Sequence, residues 1–410
     1  MKIKLRWLEY IWHVVAFTLL SGAFVSLWRG ERSSDPVQQA VLLFSFAGLV
    51  LLLAQPRSAS AIALKGWLLW LIVGWAFTSL LWSQSPDLTF RRSVTLLLAT
   101  CYGLLLAVRY PLTTVLYLLG SAMAIIVIAS AISIGVGAEW SVMGYPHPGA
   151  WRGITLHKNH LGLTCVLALI VAGILTQVSA MPWRLFWVGI ACGAVVLVIG
   201  SRSATAIAVT ILTVTTWFVL KTAIYFSGWD RLRLSFLGAS LILPGGSLLF
   251  LNLPELLSLL GRDVSLTGRL PLWSALWSIG WQRPLLGYGF GAFWLDTGQE
   301  MEVDIALMRL RFGWALQAHN GYLDIWLELG LVGLLLTLIV LLIVLWRSLK
   351  LIDTPGIPFG AWFIVLFIPY LLFINIAEAR LLEPNLGKSI LWIMLSCCYF
   401  WVMNRYVASR

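Results

Sequence analysis

The chain is 410 residues long, 60 % hydrophobic and only 11 % charged, with a formal net charge of +11. Soluble proteins carry about 25 % charged residues, so a water-facing surface could not be covered here, and the apolar content is far too high for disorder. A soluble enzyme and an unstructured chain are both excluded, which leaves an all-α polytopic membrane protein.

A spanning helix needs about 20 mostly apolar residues. Twelve stretches meet that need: 8–28, 38–54, 66–82, 93–109, 112–137, 160–178, 183–200, 204–226, 234–252, 321–346, 358–377 and 388–407. The first follows Lys2, Lys4 and Arg6 but has no small-x-small cleavage signal before Trp28, so it reads as a retained helix rather than a signal peptide. The connections read as short loops, with one exception. The chain therefore divides into residues 1–252 with nine spans, a long loop at 253–320, and residues 321–410 with three more. Matched broken helices in an internal repeat, the mark of many transporters, are not visible.

An even number of spans puts both termini on one side. With that side cytoplasmic, its only acids are Glu9, Asp230 and Asp353, and the whole +11 surplus falls there. Lys and Arg retained on the inner side are the usual membrane signature. The surplus therefore needs no nucleic-acid partner, and no basic run exceeds Arg91-Arg92. The loops 138–159 and 253–320 then face outward. Cys101, Cys165, Cys192, Cys397 and Cys398 all lie in apolar stretches with no C-x-x-C, so neither disulfides nor a metal site are expected.

Four polar clusters collect on the outward face. The first is Trp151-Arg152-Gly153-Ile154-Thr155-Leu156-His157-Lys158-Asn159-His160, before the sixth span. The second is Ser201-Arg202-Ser203-Ala204-Thr205, a tight turn that holds an arginine near headgroup depth, where it needs an anion or water. The third is Thr267-Gly268-Arg269, opening a segment in which Ser274, Ser278 and Gln282 recur every fourth residue against Leu272, Trp273, Leu276, Trp277 and Trp281. That pattern predicts an interfacial helix. The fourth is His319-Asn320-Gly321-Tyr322, with Asp324 and Glu328 further into the tenth span.

Each cluster alone has a structural explanation. Interfacial arginines snorkel to lipid phosphates, and a single histidine before a helix is more often a cap. His13 and His147 read as structural. Gly287, Gly289 and Gly291 follow no strand and open no nucleotide-binding helix, so a tight turn is expected there rather than a dinucleotide site. Glu300, Glu302 and Asp304 read as a solvated face without an EF-hand pattern. Taken together the clusters point further. Arginine forks bind phosphate oxygens bidentately. A histidine before a helix N-terminus is favoured in its neutral form, which can accept a proton. The set describes a site for a phosphate-bearing lipid and a hydroxyl nucleophile, without a metal or cofactor.

At these residues the sequence resembles the O-antigen ligase / O-antigen polymerase superfamily of bacterial membrane glycosyltransferases. The resemblance rests on W-R-G-I-T-L-H-K-N-H-L-G at 151–162, S-R-S-A-T at 201–205, T-G-R-L-P-L-W at 267–273, P-L-L-G-Y-G-F-G-A-F-W at 284–294 and H-N-G-Y-L-D-I-W-L-E-L-G-L-V-G at 319–333. The W-R-G…H-K-N form is most similar to the branch containing exopolysaccharide polymerases of the succinoglycan type. The resemblance implies a GT-C-type fold in the bacterial inner membrane, with a periplasmic site and cytoplasmic termini. It implies transfer of a glycan from undecaprenyl diphosphate to a lipid-linked repeat unit or to lipid A-core, without metal and with inversion. By position, Arg202 and Arg269 would hold the diphosphate and His319 would deprotonate the acceptor. Arg152, His157, Lys158, Asn159, Asn320 and Tyr322 would support substrate binding, and Glu328 would orient His319 or pair with an arginine. A repeat-unit polymerase leads, an O-antigen ligase is the alternative within the family, and a lipid-linked-glycan flippase or exporter is the alternative from another class.

Overall fold

Inside hydrocarbon every backbone amide and carbonyl must find its partner within the segment, which leaves helix as the form available to a single apolar run. The computed structural model describes residues 2–24, 36–145, 147–223, 269–294, 317–352, 358–382 and 389–408. Thirteen α-helices occur among them: α1 Lys2–Leu20, α2 Pro36–Leu53, α3 Pro56–Lys65, α4 Trp67–Thr78, α5 Pro86–Arg109, α6 Leu112–Gly135, α7 Lys158–Val178, α8 Trp183–Gly200, α9 Ala204–Ala223, α10 Arg269–Gly280, α11 Gly321–Leu351, α12 Pro358–Ala377 and α13 Ser389–Ala408. No strand occurs among the described residues, only an isolated bridge between Val142 and Trp151.

Seven of these helices (α5 to α9, α11 and α12) are long and apolar enough to cross a membrane, and the bent pair formed by α2 and α3 makes an eighth if counted as one span. The expected span at 234–252 lies outside the described residues. α4 covers the expected span 66–82 as a shorter apolar helix that tightens into a 3-10 turn at Ser79–Leu81. Where the sequence was expected to form a loop at 55–65, the chain forms α3 instead. Pro56 at its start and a buried Ala59–Ile62 stripe three residues apart explain why.

The large apolar core gathers residues from α1 to α9 and α11 to α13. α7 packs on α8, α6, α9 and α12, while α5 packs between α2 and α13. At one end of the bundle, α1 is tied to α5 by a carboxylate clamp. Arg109 Nη2 donates to Glu9 Oε2 at 2.6 Å, and Arg109 Nε and Tyr110 Oη both donate to Glu9 Oε1.

α11 is not continuous. Gly330 has φ 68°, ψ −175° and splits the helix. A break of this kind frees carbonyls that the membrane interior cannot solvate. The Gly-rich segment 284–291 answers them. Tyr288 N donates to Leu327 O at 2.8 Å, Gly289 N to Glu328 O at 2.9 Å, and Leu331 N to Pro284 O at 2.8 Å. Trp75 Nε1 from α4 takes the Leu329 carbonyl at 2.9 Å. The two backbones meet so closely that a Cβ on Gly330 would stand 2.0 Å from Leu285 O. The glycine string is thus a strap holding a broken span, in keeping with the expected tight turn. A smaller core of Leu272, Leu276, Ile279, Tyr288, Phe293, Leu323 and Trp326 binds α10, the strap and the first half of α11 into one unit.

Gly330→Ala is expected to destabilise the protein by about 2 kcal/mol or more, because both the positive φ and the backbone contact oppose a side chain. Gly74→Ala, in a helix interior with open space around it, is expected to be neutral or slightly stabilising. Thermal unfolding of the two variants in detergent, followed by retention of monodisperse protein, measures the difference.

Candidate functional site

α7 opens on a histidine cap. His157, extended at φ −149°, accepts the Asn159 amide on Nδ1 at 3.2 Å. That bond requires a lone pair on Nδ1. Burial, reinforced by Lys158, His147 and Arg380, holds the imidazole down to about 4, although Glu378 opposes the shift. The side chain of the same Asn159 reaches across the bundle, its Nδ2 donating to Glu378 Oε1 at 2.7 Å.

Glu378 is the first residue after α12, in the short E-A-R segment 378–380. Asn375 folds this segment back on the bundle, its Oδ1 accepting both Arg380 N and Leu381 N at 2.9 Å. The Glu378 side chain is 4 % exposed and stands 3.7 Å from Arg269 Nη2 through Oε1 and 3.7 Å from His319 Nδ1 through Oε2. Burial alone would raise its pKa. The close approach of His319 and the charges of Arg380 and Arg269 overcome that and hold the carboxyl well below the usual carboxylate range. Arg380 is itself buried, with its Nε unpartnered among the described residues. It lines a cavity of about 20 Å³ together with Ser21, His160, Thr164 and Tyr370.

Arg269 is the first residue of α10. The helix is positioned by Leu272, Leu276 and Ile279, which bury one face against the Trp326 side of α11, and by Trp273 Nε1, which donates to Ala318 O at 2.8 Å. Arg269 Nη1 donates to Ala377 O at 2.9 Å, and burial lowers its pKa against the pull of Glu378.

His319 precedes the Asn320 cap of α11, where Asn320 Oδ1 accepts Tyr322 N and Leu323 N at 3.1 Å. Its φ is 52°, in the left-handed region. Asp324 fixes this turn: its Oδ1 accepts Ala318 N at 3.0 Å and Trp294 Nε1 at 2.8 Å. Tyr322 Oη donates to Leu372 O at 2.6 Å and locks α11 to α12.

Four segments remote in sequence therefore meet at one carboxylate. Of the residues singled out in the sequence, Asn159, Arg269 and His319 touch Glu378, and His157, Asn320 and Tyr322 hold their supports. Arg202 belongs to a neighbouring group. It is exposed, with φ 49°, and Nη1 is 3.4 Å from Pro148 O. The loop beneath it leads toward the cluster through His147, whose ring lies 5.8 Å from that of His157. The first two sequence motifs are packed together, with Trp151 N bonded to Gly200 O at 3.0 Å and the Trp151 ring filling the space over Gly200. Arg152 Nε donates to Trp140 O at 2.6 Å and shapes the loop. Glu328 is bonded to the strap through its backbone carbonyl, and Glu378 is a carboxylate beside His319.

Glu378 and Arg380 were missed in the motif reading. The signal was present: two ionisable residues at the outward end of the eleventh expected span, in the same setting as the other clusters. Among the described residues no group of three or more His, Cys, Asp or Glu is arranged to hold a metal ion.

Because His157 is held near 4 in the folded protein, against an ordinary value near 6.5, only the unfolded chain takes up its proton between those values. The stability it contributes is full above about pH 6.5 and is lost as pH falls toward 4. His157→Asn keeps a good capping residue and removes the titration. Its thermal midpoint in detergent is expected to fall less than that of the parent between pH 7 and pH 4.5.

Comparison with known proteins bears on these residues. The O-antigen ligase family model matches residues 161–338, a stretch that contains Arg202, Arg269 and His319 and ends before Glu378. The chain is 25 % identical over 284 residues to the Exopolysaccharide production protein ExoQ of Rhizobium meliloti (strain 1021), covering 67 % of this chain and 63 % of that protein. Less than two thirds of that relative's length is thus spanned. Together the two matches support an O-antigen ligase/polymerase-like family for this membrane protein.

Proposed function

We propose that the protein is a glycosyltransferase of the bacterial inner membrane that acts on undecaprenyl-diphosphate-linked glycans at the periplasmic face and polymerises polysaccharide repeat units. A twelve-span, GT-C-type fold with cytoplasmic termini belongs to this reading, as does independence from metals. The observation that carries it is the meeting of Arg269 and His319 at Glu378, each 3.7 Å from its carboxylate. A guanidinium suited to a diphosphate and an imidazole suited to a hydroxyl are placed side by side. The exopolysaccharide relative favours polymerisation. The ligase description of the family model supports the second reading, transfer to lipid A-core.

In the proposed reaction the acceptor hydroxyl gives its proton to His319 as its oxygen attacks the anomeric carbon. The bond from that carbon to the phosphate oxygen breaks, and undecaprenyl diphosphate leaves with the electron pair. Attack opposite the leaving group inverts the anomeric centre. Arg269 and Arg202 neutralise the charge that develops on the diphosphate, which lowers the barrier by electrostatic stabilisation. Asn159, Lys158 and Arg152 shape the approach, while Asn320 and Tyr322 hold the turn that carries His319.

Purified protein in detergent, given an undecaprenyl-diphosphate oligosaccharide alone, is expected to yield elongated lipid-linked product. Product formed only on addition of lipid A-core would establish the ligase. No product under either condition would overturn the reading in favour of a flippase or exporter. His319→Ala is expected to lower turnover about 100-fold or more, and Arg269→Ala to weaken donor binding about tenfold or more. Unchanged chain lengths with His319→Ala would remove its assignment as the base.

A further inference from the structure

We infer that Glu378 is the positioning residue of the transfer reaction: its Oε2 fixes the proton of His319 on Nδ1, leaving the lone pair on Nε2 to take the acceptor's proton, while its Oε1, held by Asn159, aims Arg269. The inference rests on the glycosyl-transfer reading above and adds to it a residue outside the stretch matched by the family model.

Three observations carry it. First, the geometry divides the carboxylate between two tasks. Oε2 is 3.7 Å from His319 Nδ1, and Oε1 is 2.7 Å from Asn159 Nδ2 and 3.7 Å from Arg269 Nη2. A carboxylate beside one imidazole nitrogen selects the tautomer protonated there and stabilises the imidazolium formed later. Second, the carboxylate is charged. It is enclosed by Arg269, Arg380, His319 and the Asn159 amide, and these hold it in its ionised form despite burial. Third, it is held rigidly. Asn375 pins the backbone at Arg380 and Leu381, Arg269 Nη1 is bonded to Ala377 O, and the His157 cap sets Asn159. Gln317 Nε2 stands 3.4 Å from His319 Nδ1 and, as an amide NH2, can only donate, so a proton on Nδ1 requires the Gln317 amide turned end for end with Oε1 toward the ring.

The proton balance follows. In the resting state Nδ1–H faces Glu378 and Nε2 is unprotonated. During transfer the acceptor proton moves to Nε2, giving an imidazolium beside the carboxylate, while Glu378 stays ionised throughout. The groups that face the pair are Gln317 beside the imidazole, and Arg269, Arg380, Asn159 and, at longer range, His157 around the carboxylate. Removing the charge of Glu378 therefore takes away the anionic partner of the imidazolium formed during transfer.

The test compares parent, Glu378→Gln and Glu378→Asp in the detergent assay with undecaprenyl-diphosphate oligosaccharide, alongside thermal unfolding and binding of an undecaprenyl diphosphate analogue. Glu378→Gln is expected to lower turnover at saturating donor about 100-fold or more. Analogue binding should change far less than turnover. Glu378→Asp should restore part of the rate. An active parent with a Glu378→Gln variant of unchanged rate would overturn the inference and leave the glycosyl-transfer reading standing. An inactive parent would overturn both. If Glu378→Gln does not fold, the aspartate variant decides: a reduced rate with parent-like analogue binding supports the positioning role. An equal loss of turnover and analogue binding would overturn it in favour of a structural one.

Discussion

A carboxylate removed from water must be answered by charge or by hydrogen bonds, since an isolated buried ion is untenable. At Glu378 the answer comes from segments remote in the chain. The start of α7, the start of α10, the turn before α11 and the chain beyond α12 all contribute a polar group to one anion. Removing any of the cations leaves the others facing a different charge balance. That shared constraint acts together with the apolar packing of α10 on α11 and the Asp324 turn to set where Arg269 and His319 stand. A diphosphate arriving beside Arg269 would enter as a second anion and compete with Glu378 for the guanidinium. The protein's own carboxylate thus supplies the negative partner that a phosphate ester would supply in turnover.

The remainder of the frame protects that arrangement. α11 is both a span and the carrier of the His319 turn, and its break at Gly330 separates these two duties. The half that begins at Asn320 is packed with α10 and the strap, through Leu272, Tyr288, Phe293 and Trp326. The half beyond Gly330 is an apolar helix in the main bundle, burying Val340, Leu341 and Val344. The strap makes the break possible by taking the Leu327 and Glu328 carbonyls, and Trp75 takes that of Leu329. Polar accounting at the break is complete enough that the glycines at 287 and 330 need only bring the two backbones close.

Much of this was legible in the sequence. The helical, membrane-embedded character follows from sparse charge and long apolar runs. Most helix positions fell where apolar stretches ended, as at Trp183–Gly200 and Pro358–Ala377. What escaped was set by tertiary contact. α3 looked like a loop because it is too short and too polar to read as a span. The division of α11 could not be seen, because a glycine in an apolar run is common in membrane helices and only the docked strap turns it into a break. Glu378 and Arg380 lacked a motif of their own, and their weight comes from the Asn375 fold-back that no spacing rule announces. Arg202 shows the converse: a conspicuous residue whose contacts lie one loop away from the carboxylate.

The left-handed backbone at His319 carries a consequence for how the protein can change. A side chain with a Cβ in that conformation is held there at some conformational expense, of order 1–2 kcal/mol. Glycine would relieve it, and asparagine would ease it, but neither carries an imidazole. Stability at this turn and the capacity to accept a proton are therefore drawn from opposite choices at a single codon. Variants selected only for robustness would drift toward a better-folded protein without the imidazole on which the proposed transfer depends.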